Sequence, residues 1–111
     1  MGVTMDEDDL EVGVIGALAA GGWNYYHVRR SDLGLVTDVG FPDIVARHPD
    51  GRLLVLELKA DRGRYRPGQE AWLAAFRAAG IDSRTIRPDD YQSLIVELTG
   101  DRLLSISGGK P

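Results

Sequence analysis

Gly40-Phe41-Pro42-Asp43, Leu53-Leu54-Val55-Leu56-Glu57-Leu58-Lys59 and Gln69-Glu70-Ala71-Trp72 all fall within residues 40–72, and the rest of the chain is organised around them. The first puts an acid after a proline at the mouth of a strand. The second is almost wholly apolar until it reaches an acid and a lysine two residues apart. Side chains at i and i+2 of a strand project from one face. Glu57 and Lys59 therefore share a face with Val55, while Leu54, Leu56 and Leu58 point the other way into the core. Charge on a surface that patterning would bury is a local conflict of the kind found at functional sites.

Around this centre the chain reads as helix, three strands, helix, strand, helix. Residues 6–20 form the first helix: Asp6 caps it, and its early acids complement the helix dipole. Leu10, Val14, Ile15 and Leu18 fall on one face at helical spacing. Glu11 projects near the centre of that face, Glu7 close to it, and Asp9 to the opposite side. Gly13 and Gly16 weaken the helix, and Gly21-Gly22 ends it. Trp23 to Val28 fits a strand, Arg29 to Val39 a loop, and Asp43 to Arg47 a short strand with Ile44 and Ala46 on one face. His48-Pro49-Asp50-Gly51 is a hairpin turn, its histidine solvated. Leu53 to Lys59 is the central strand, covered on both faces. After a charged loop over Asp61–Arg66, Pro67 starts a helix that reaches Ala79, with Trp72, Ala75, Phe76 and Ala79 inward and Gly80 as its stop. Ser83 to Arg87 is a strand. Pro88 opens the last helix, with Tyr91, Leu94, Ile95 and Leu98 buried and Gly100 as its stop. Leu103 to Ile106 is expected as an edge strand or dimer arm. The first three strands should form an antiparallel meander, and the step from Leu53 to Arg87 a right-handed parallel crossover. The expected fold is α/β, a mixed central sheet flanked by helices, in one domain over residues 1–111 with 1–5 and 107–111 flexible.

The chain has 111 residues, 43% hydrophobic and 27% charged, which suits one ordinary globular domain. It contains no cysteine, which excludes disulfides and thiolate metal ligands. No apolar run nears the roughly 20 residues needed to span a bilayer, and the acidic N-terminus is unlike a secretory leader. An intracellular protein with no membrane partner is expected. Net charge is −4, but residues 1–11 hold five acids and no base, leaving the remainder at +1. Lys59, Arg62, Arg64 and Arg66 against Asp61 make a local basic patch, an electrostatic footprint for phosphate. On charge alone, a solvated loop is the better explanation of that patch.

Asp43, Glu57 and Lys59 together suggest chemistry. Two carboxylates held a few ångströms apart repel, and one takes up a proton unless a cation intervenes. Oxygen ligands suit Mg²⁺ or Mn²⁺, and Mg²⁺ is commonly held by one or two carboxylates, waters and substrate phosphate. The Leu58 carbonyl, between Glu57 and Lys59, is a further oxygen ligand, and Glu11 can complete the set from the first helix. Lys59 can orient a water or stabilise charge on phosphorus. The competing explanation is a plain salt bridge, and for each residue taken alone it is the simpler one.

These motifs resemble the PD-(D/E)xK nuclease superfamily and, within it, the virus-type replication-repair nuclease (VRR-NUC) family. The matching residues are Gly40-Phe41-Pro42-Asp43, Glu57-Leu58-Lys59, and Gln69 followed by Trp72. Gly22-Trp23 and Arg87-Pro88-x-Asp90 also resemble small stand-alone phage and bacterial members, and the likeness runs over roughly residues 7 to 98. It implies a restriction-endonuclease-like core and metal-dependent hydrolysis of DNA. It implies homodimers acting on branched DNA such as four-way junctions. By that likeness Asp43 and Glu57 bind metal, Lys59 is the catalytic lysine and Gln69 orients the site. The family usually carries a glutamate early in the first helix and a glutamine two positions later. A gap-free comparison puts Asp9 and Glu11 at those places, whereas the helical face favours Glu11 as the acid that joins the site.

Arg62, Arg64 and Arg66 are candidates to grip the DNA backbone, and Arg30 begins a loop that can track a strand. Such binding is salt-sensitive. Two other functions fit the same residues: a nuclease for flaps or single-stranded ends within a larger system, and a DNA-binding protein that keeps the fold without cutting.

Overall fold

A computed structural model describes residues 5–28 and 40–108, with side chains described as far as Gly100. The elements follow in the order α1 (Glu7–Ala20), β1 (Asn24–His27), β2 (Ile44–Arg47), β3 (Leu53–Leu58), α2 (Gln69–Ala78), β4 (Asp82–Ile86) and α3 (Tyr91–Gly108). The sheet has strand order β1-β2-β3-β4. β1 and β2 pair antiparallel, with Tyr25 opposite Ala46. β2 and β3 also pair antiparallel, with Ile44 opposite Leu56. β3 and β4 are parallel, with Glu57 opposite Thr85. The meander, the crossover through α2 and the expected order of elements are all present.

Helix α1 begins where the acids predict. The Asp6 side chain accepts from the Asp9 N–H at 2.8 Å, and the Asp9 carboxylate accepts from the Asp6 N–H at 3.1 Å. This reciprocal cap satisfies two N–H groups that a helix start leaves free. Leu10, Val14 and Leu18 are fully buried and Ala17 joins them. They pack with Trp23, Ile44, Ala46, Leu54, Leu56, Leu58, Ile86, Leu94 and Leu98 in one core. The even-numbered β3 residues thus face α1 and α3. Trp23 Nε1 donates to the Leu98 carbonyl at 3.1 Å, tying the strand start to α3. Gly21 makes that approach possible: a Cβ there would lie 2.0 Å from the Leu98 oxygen.

On the other face, Val55 and Glu57 are covered by α2, whose buried residues are Gln69 and Leu73. Trp72 and Phe76 are half-buried, and Ala75 and Ala79 are exposed, contrary to expectation. The inward stripe is 69, 72, 73, 76; it contains a glutamine, so hydrophobicity alone turns the helix by part of a face. The helix also starts at Gln69 rather than Pro67, because Gly68 takes a left-handed conformation (φ +87°) at its cap.

Other differences lie at the C-terminal end. Pro88–Asp90 is a single 3₁₀ turn before α3. Gly100 does not stop α3, which continues to Gly108. Leu103 to Ile106 is therefore helical, not a strand or extended arm. An interior glycine costs a helix only about 1 kcal/mol, and burial of Leu94, Leu98 and Thr99 before it outweighs that. Met5 packs on the core, and residues 107 and 108 belong to α3. His48 is not simply solvated. It accepts from the Asp50 N–H at Nδ1 (3.1 Å) and donates from Nε2 to the Gly21 carbonyl (3.1 Å), with its ring edge-on to Trp23.

Candidate active site

Antiparallel pairing of β2 and β3 sets the start of one strand beside the end of the other. Asp43, one step before the Ile44–Leu56 pair, therefore adjoins Glu57 and Leu58. Its Oδ2 accepts from the Leu58 N–H at 2.8 Å, and its carbonyl accepts from Val28 N–H at 2.8 Å. The preceding residues explain its placement. Gly40 (φ +91°) lies so close to the start of α2 that a Cβ would sit 2.6 Å from the Gln69 nitrogen. Phe41 meets Trp72 edge-on at 4.9 Å and Phe76 at 5.8 Å. Pro42 is buried. The Gly-Phe-Pro segment is thus docked on the same helix end that delivers Gln69.

Glu57 is only 2% exposed. Its Oε2 accepts from Gln69 Nε2 at 2.6 Å. Its Oε1 has no hydrogen-bond partner among the described residues. Burial, then the neighbouring Asp43 carboxylate, pushes the Glu57 carboxyl up to about 8. Burial and the nearby Glu7 likewise raise Asp43, against the opposing Leu58 N–H bond. These are the effects expected of two carboxylates sharing a poorly solvated site. Lys59 is equally buried, with Nζ 3.8 Å from Glu57 Oε2 and 6.0 Å from the Tyr65 ring centre. Its distance from the carboxylate is too long for a hydrogen bond but short enough for attraction.

Asp43 and Leu58 open on a cavity of about 490 Å³ that is also lined by Glu7, Asp8, Glu11, His27, Val28 and Arg66. The Glu11 carboxylate contacts His27 Nε2. Of the first-helix acids, Glu7, Asp8 and Glu11 line the cavity and Asp9 is held in the helix cap. Asp43, Glu57, Leu58, Lys59 and Gln69 thus come together, with Glu11 at the rim. Arg62, Arg64 and Arg66 are exposed on the adjoining loop. Arg30, and the loop over 29–39, lie outside the described residues. By sequence His27 is a strand-end histidine that can reach phosphate or the outer shell of a metal, though such a residue is more often structural, and Glu7 is one of the acids that can join the site; the contact of His27 with Glu11 and the place of Asp8 on the wall are what sequence reasoning missed.

The residues fit a hard divalent cation. A buried carboxylate oxygen without a partner, on a Glu57 whose proton affinity burial and the Asp43 carboxylate raise, is a place where positive charge would be favourable. Among the described residues no three His, Asp or Glu side chains stand at ligating separation. Asp43, Glu57 and the Leu58 carbonyl could serve with solvent as oxygen ligands, a composition that would suit Mg²⁺.

A four-stranded mixed sheet with this order of elements, and an aspartate, a glutamate and a lysine at one sheet end, defines the class as the restriction-endonuclease-like α/β fold of the PD-(D/E)xK type. The family model described as "VRR-NUC domain" matches residues 29–89. The chain belongs to the VRR-NUC family, as over half of it lies in that match. A solved structure described as a "VRR_NUC domain" superposes with a TM-score of 0.63 at 19% identity, covering 89% of this chain and 94% of that one. Another, a "VRR_NUC domain protein", gives a TM-score of 0.59 at 15% identity, over 86% and 92%. At these identities the likeness speaks to the fold. No curated protein matches the chain significantly. Among the described residues no helix is long and apolar enough to cross a membrane.

Proposed function

We propose that this protein is a divalent-metal-dependent DNA endonuclease that hydrolyses phosphodiester bonds, with Asp43, Glu57, Lys59 and Gln69 as its working residues. The observation that carries this reading is the buried Glu57 beside Asp43, with one oxygen bound by Gln69 and the other bonded to nothing among the described residues. Such a carboxylate is costly for folding alone and suited to holding a cation.

Asp43, Glu57 and the Leu58 carbonyl would hold Mg²⁺ or Mn²⁺, with Glu11 closing the shell from α1. When bound, the ion supplies polarisation of a phosphoryl oxygen and acidification of a water. The chain's own residues do the remainder. Gln69 fixes the Glu57 carboxylate by its Nε2. Asp43 is fixed by the Leu58 N–H. Lys59, held off solvent, donates toward the nucleophilic water or the phosphoryl oxygen that gains charge. Arg62, Arg64 and Arg66 offer exposed positive charge for the backbone beside the cavity.

The likeness to small stand-alone family members supports branched DNA, such as a four-way junction, as the substrate and a homodimer as the working unit. A symmetric pair would present two sites for paired cuts. The test is a cleavage panel of four-way junction, flap, single-stranded and linear duplex DNA with Mg²⁺, Mn²⁺ or EDTA. The proposal expects metal-dependent cutting, strongest on the junction. Preference for flaps would move the substrate, and binding without cutting in any metal would reject the enzyme.

A further inference from the structure

Because β3 and β4 are parallel, both leave the sheet at the same end. The chain passes from β3 through Lys59 into loop 60–68, while β4 ends at Ile86 and leads into Arg87. There the Arg87 side chain closes on the loop. Its Nη1 donates to the carbonyls of Ala60 at 2.8 Å and Gly63 at 2.9 Å, with a longer contact to Asp61 at 3.4 Å. Its own N–H is fixed by Asp90 Oδ2 at 2.9 Å. Arg87 is half-buried and has no carboxylate partner at its guanidinium among the described residues.

The loop is pinned at two further points. The Tyr65 hydroxyl bonds Thr85 Oγ1 at 2.5 Å. The Arg66 N–H donates to Gln69 Oε1 at 2.6 Å, and Gln69 in turn holds Glu57. Between the pins, Arg62, Arg64 and Arg66 are exposed and unpaired among the described residues. A charged surface loop left to itself is mobile. This one spends a guanidinium, a hydroxyl pair and a glutamine on its own backbone.

We propose that Arg87 is the positioning residue of the DNA-gripping loop: its Nη1 fixes the Ala60 and Gly63 carbonyls so that Arg62, Arg64 and Arg66 meet phosphates beside the Asp43 cavity. This rests on the nuclease reading above. Lysine does not replace it, since an ammonium on a flexible four-carbon stem lacks the rigid planar group that holds one nitrogen between the two carbonyls.

The test uses the full chain as wild type, Arg87→Lys and Arg87→Ala. One arm needs no DNA. Limited trypsin digestion is followed by mass spectrometry, with circular dichroism showing both variants folded at the assay temperature. Cleavage after Arg62 and Arg64 should speed up about tenfold or more in both variants, while cleavage after Arg47 and Arg77 should not, since only local opening is released. Equal acceleration at all sites, or none at Arg62 and Arg64, overturns the proposal. The second arm measures DNA affinity against salt without metal, and cleavage kinetics with it. Arg87→Lys should flatten the log–log salt slope by about 1 to 2, because each phosphate contact contributes about 0.9. KM should rise about tenfold with kcat within about twofold, the pattern of lost uniform binding. An unchanged slope and KM overturn the DNA role of the loop. If the wild type neither binds nor cuts DNA although the trypsin arm responds, the nuclease reading itself has failed.

Discussion

Glu57 carries a burden in the metal-free protein that can be measured without any substrate. Its carboxyl ordinarily loses its proton near 4.5 and in the fold holds it to about 8, chiefly through burial and then through Asp43. Between those values the folded chain binds a proton that the unfolded chain has released. Stability therefore declines as pH rises through this window and levels off above it. Glu57→Gln lacks this dependence. Without divalent cation, its melting temperature should exceed that of wild type by a margin that widens to several degrees from pH 5 to pH 8. Parallel curves would show that Glu57 is not held protonated. Saturating Mg²⁺ should reverse the order, since a ligand bound only by the native wild type stabilises it. At the same scale, Gln69→Ala removes a donor to Glu57 and an acceptor for Arg66. It should lower stability by about 1–3 kcal/mol, the cost of stranding buried polar groups, and a denaturant titration reads it.

Among the elements, α1 offers two glycines with opposite expectations. Gly16 has nothing within 4 Å of where a Cβ would stand. Gly16→Ala should stabilise by about 0.5–1 kcal/mol through helix propensity. Gly21, by contrast, meets the Leu98 carbonyl, which is backbone and cannot turn aside. Gly21→Ala should destabilise by about 1–3 kcal/mol as an overpacked contact. Urea midpoints of the two variants should therefore move in opposite directions. In the sequence Gly16 simply weakens the helix and Gly21 simply ends it, and neither reading gives the sign of an alanine substitution. What separates them is the crossing of α1 with α3, a contact set by residues far apart in the chain. The same limit explains α2. Its inward stripe includes Gln69, so apolar periodicity favoured Ala75 and Ala79 and passed over Leu73. The strands were easier, because alternation on β3 states which side each residue faces, and Leu54, Leu56 and Leu58 do enter the core.

At the level of the whole molecule, topology assembles the site. A meander followed by a parallel crossover brings the start of β2, the end of β3 and the start of α2 to one place. Asp43, Glu57, Lys59 and Gln69 sit at those three positions; the i, i+2 spacing paired Glu57 with Lys59, whereas Gln69 entered only through the family likeness. The contacts between Glu11 and His27 and between Arg87 and the loop were not legible, since they join elements whose relative placement no local pattern encodes. Arg-Pro-x-Asp at residues 87–90 hinted at a fixed turn, not at what the arginine holds. The charge asymmetry acquires a place as well: the acids Glu7, Asp8 and Glu11 of α1 line the cavity together with Arg66 of loop 60–68.

The most direct test of the central claim is a single cleavage assay comparing wild type with Asp43→Asn, Glu57→Gln and Lys59→Ala on four-way junction DNA in Mg²⁺, Mn²⁺ and EDTA. Wild type should cut only with metal, and each variant should lose activity by about a hundredfold or more, the scale of removing one transition-state stabilising group, while remaining folded. Cleavage by wild type in EDTA, or wild-type rates from the Asp43 or Glu57 variants, would contradict the account.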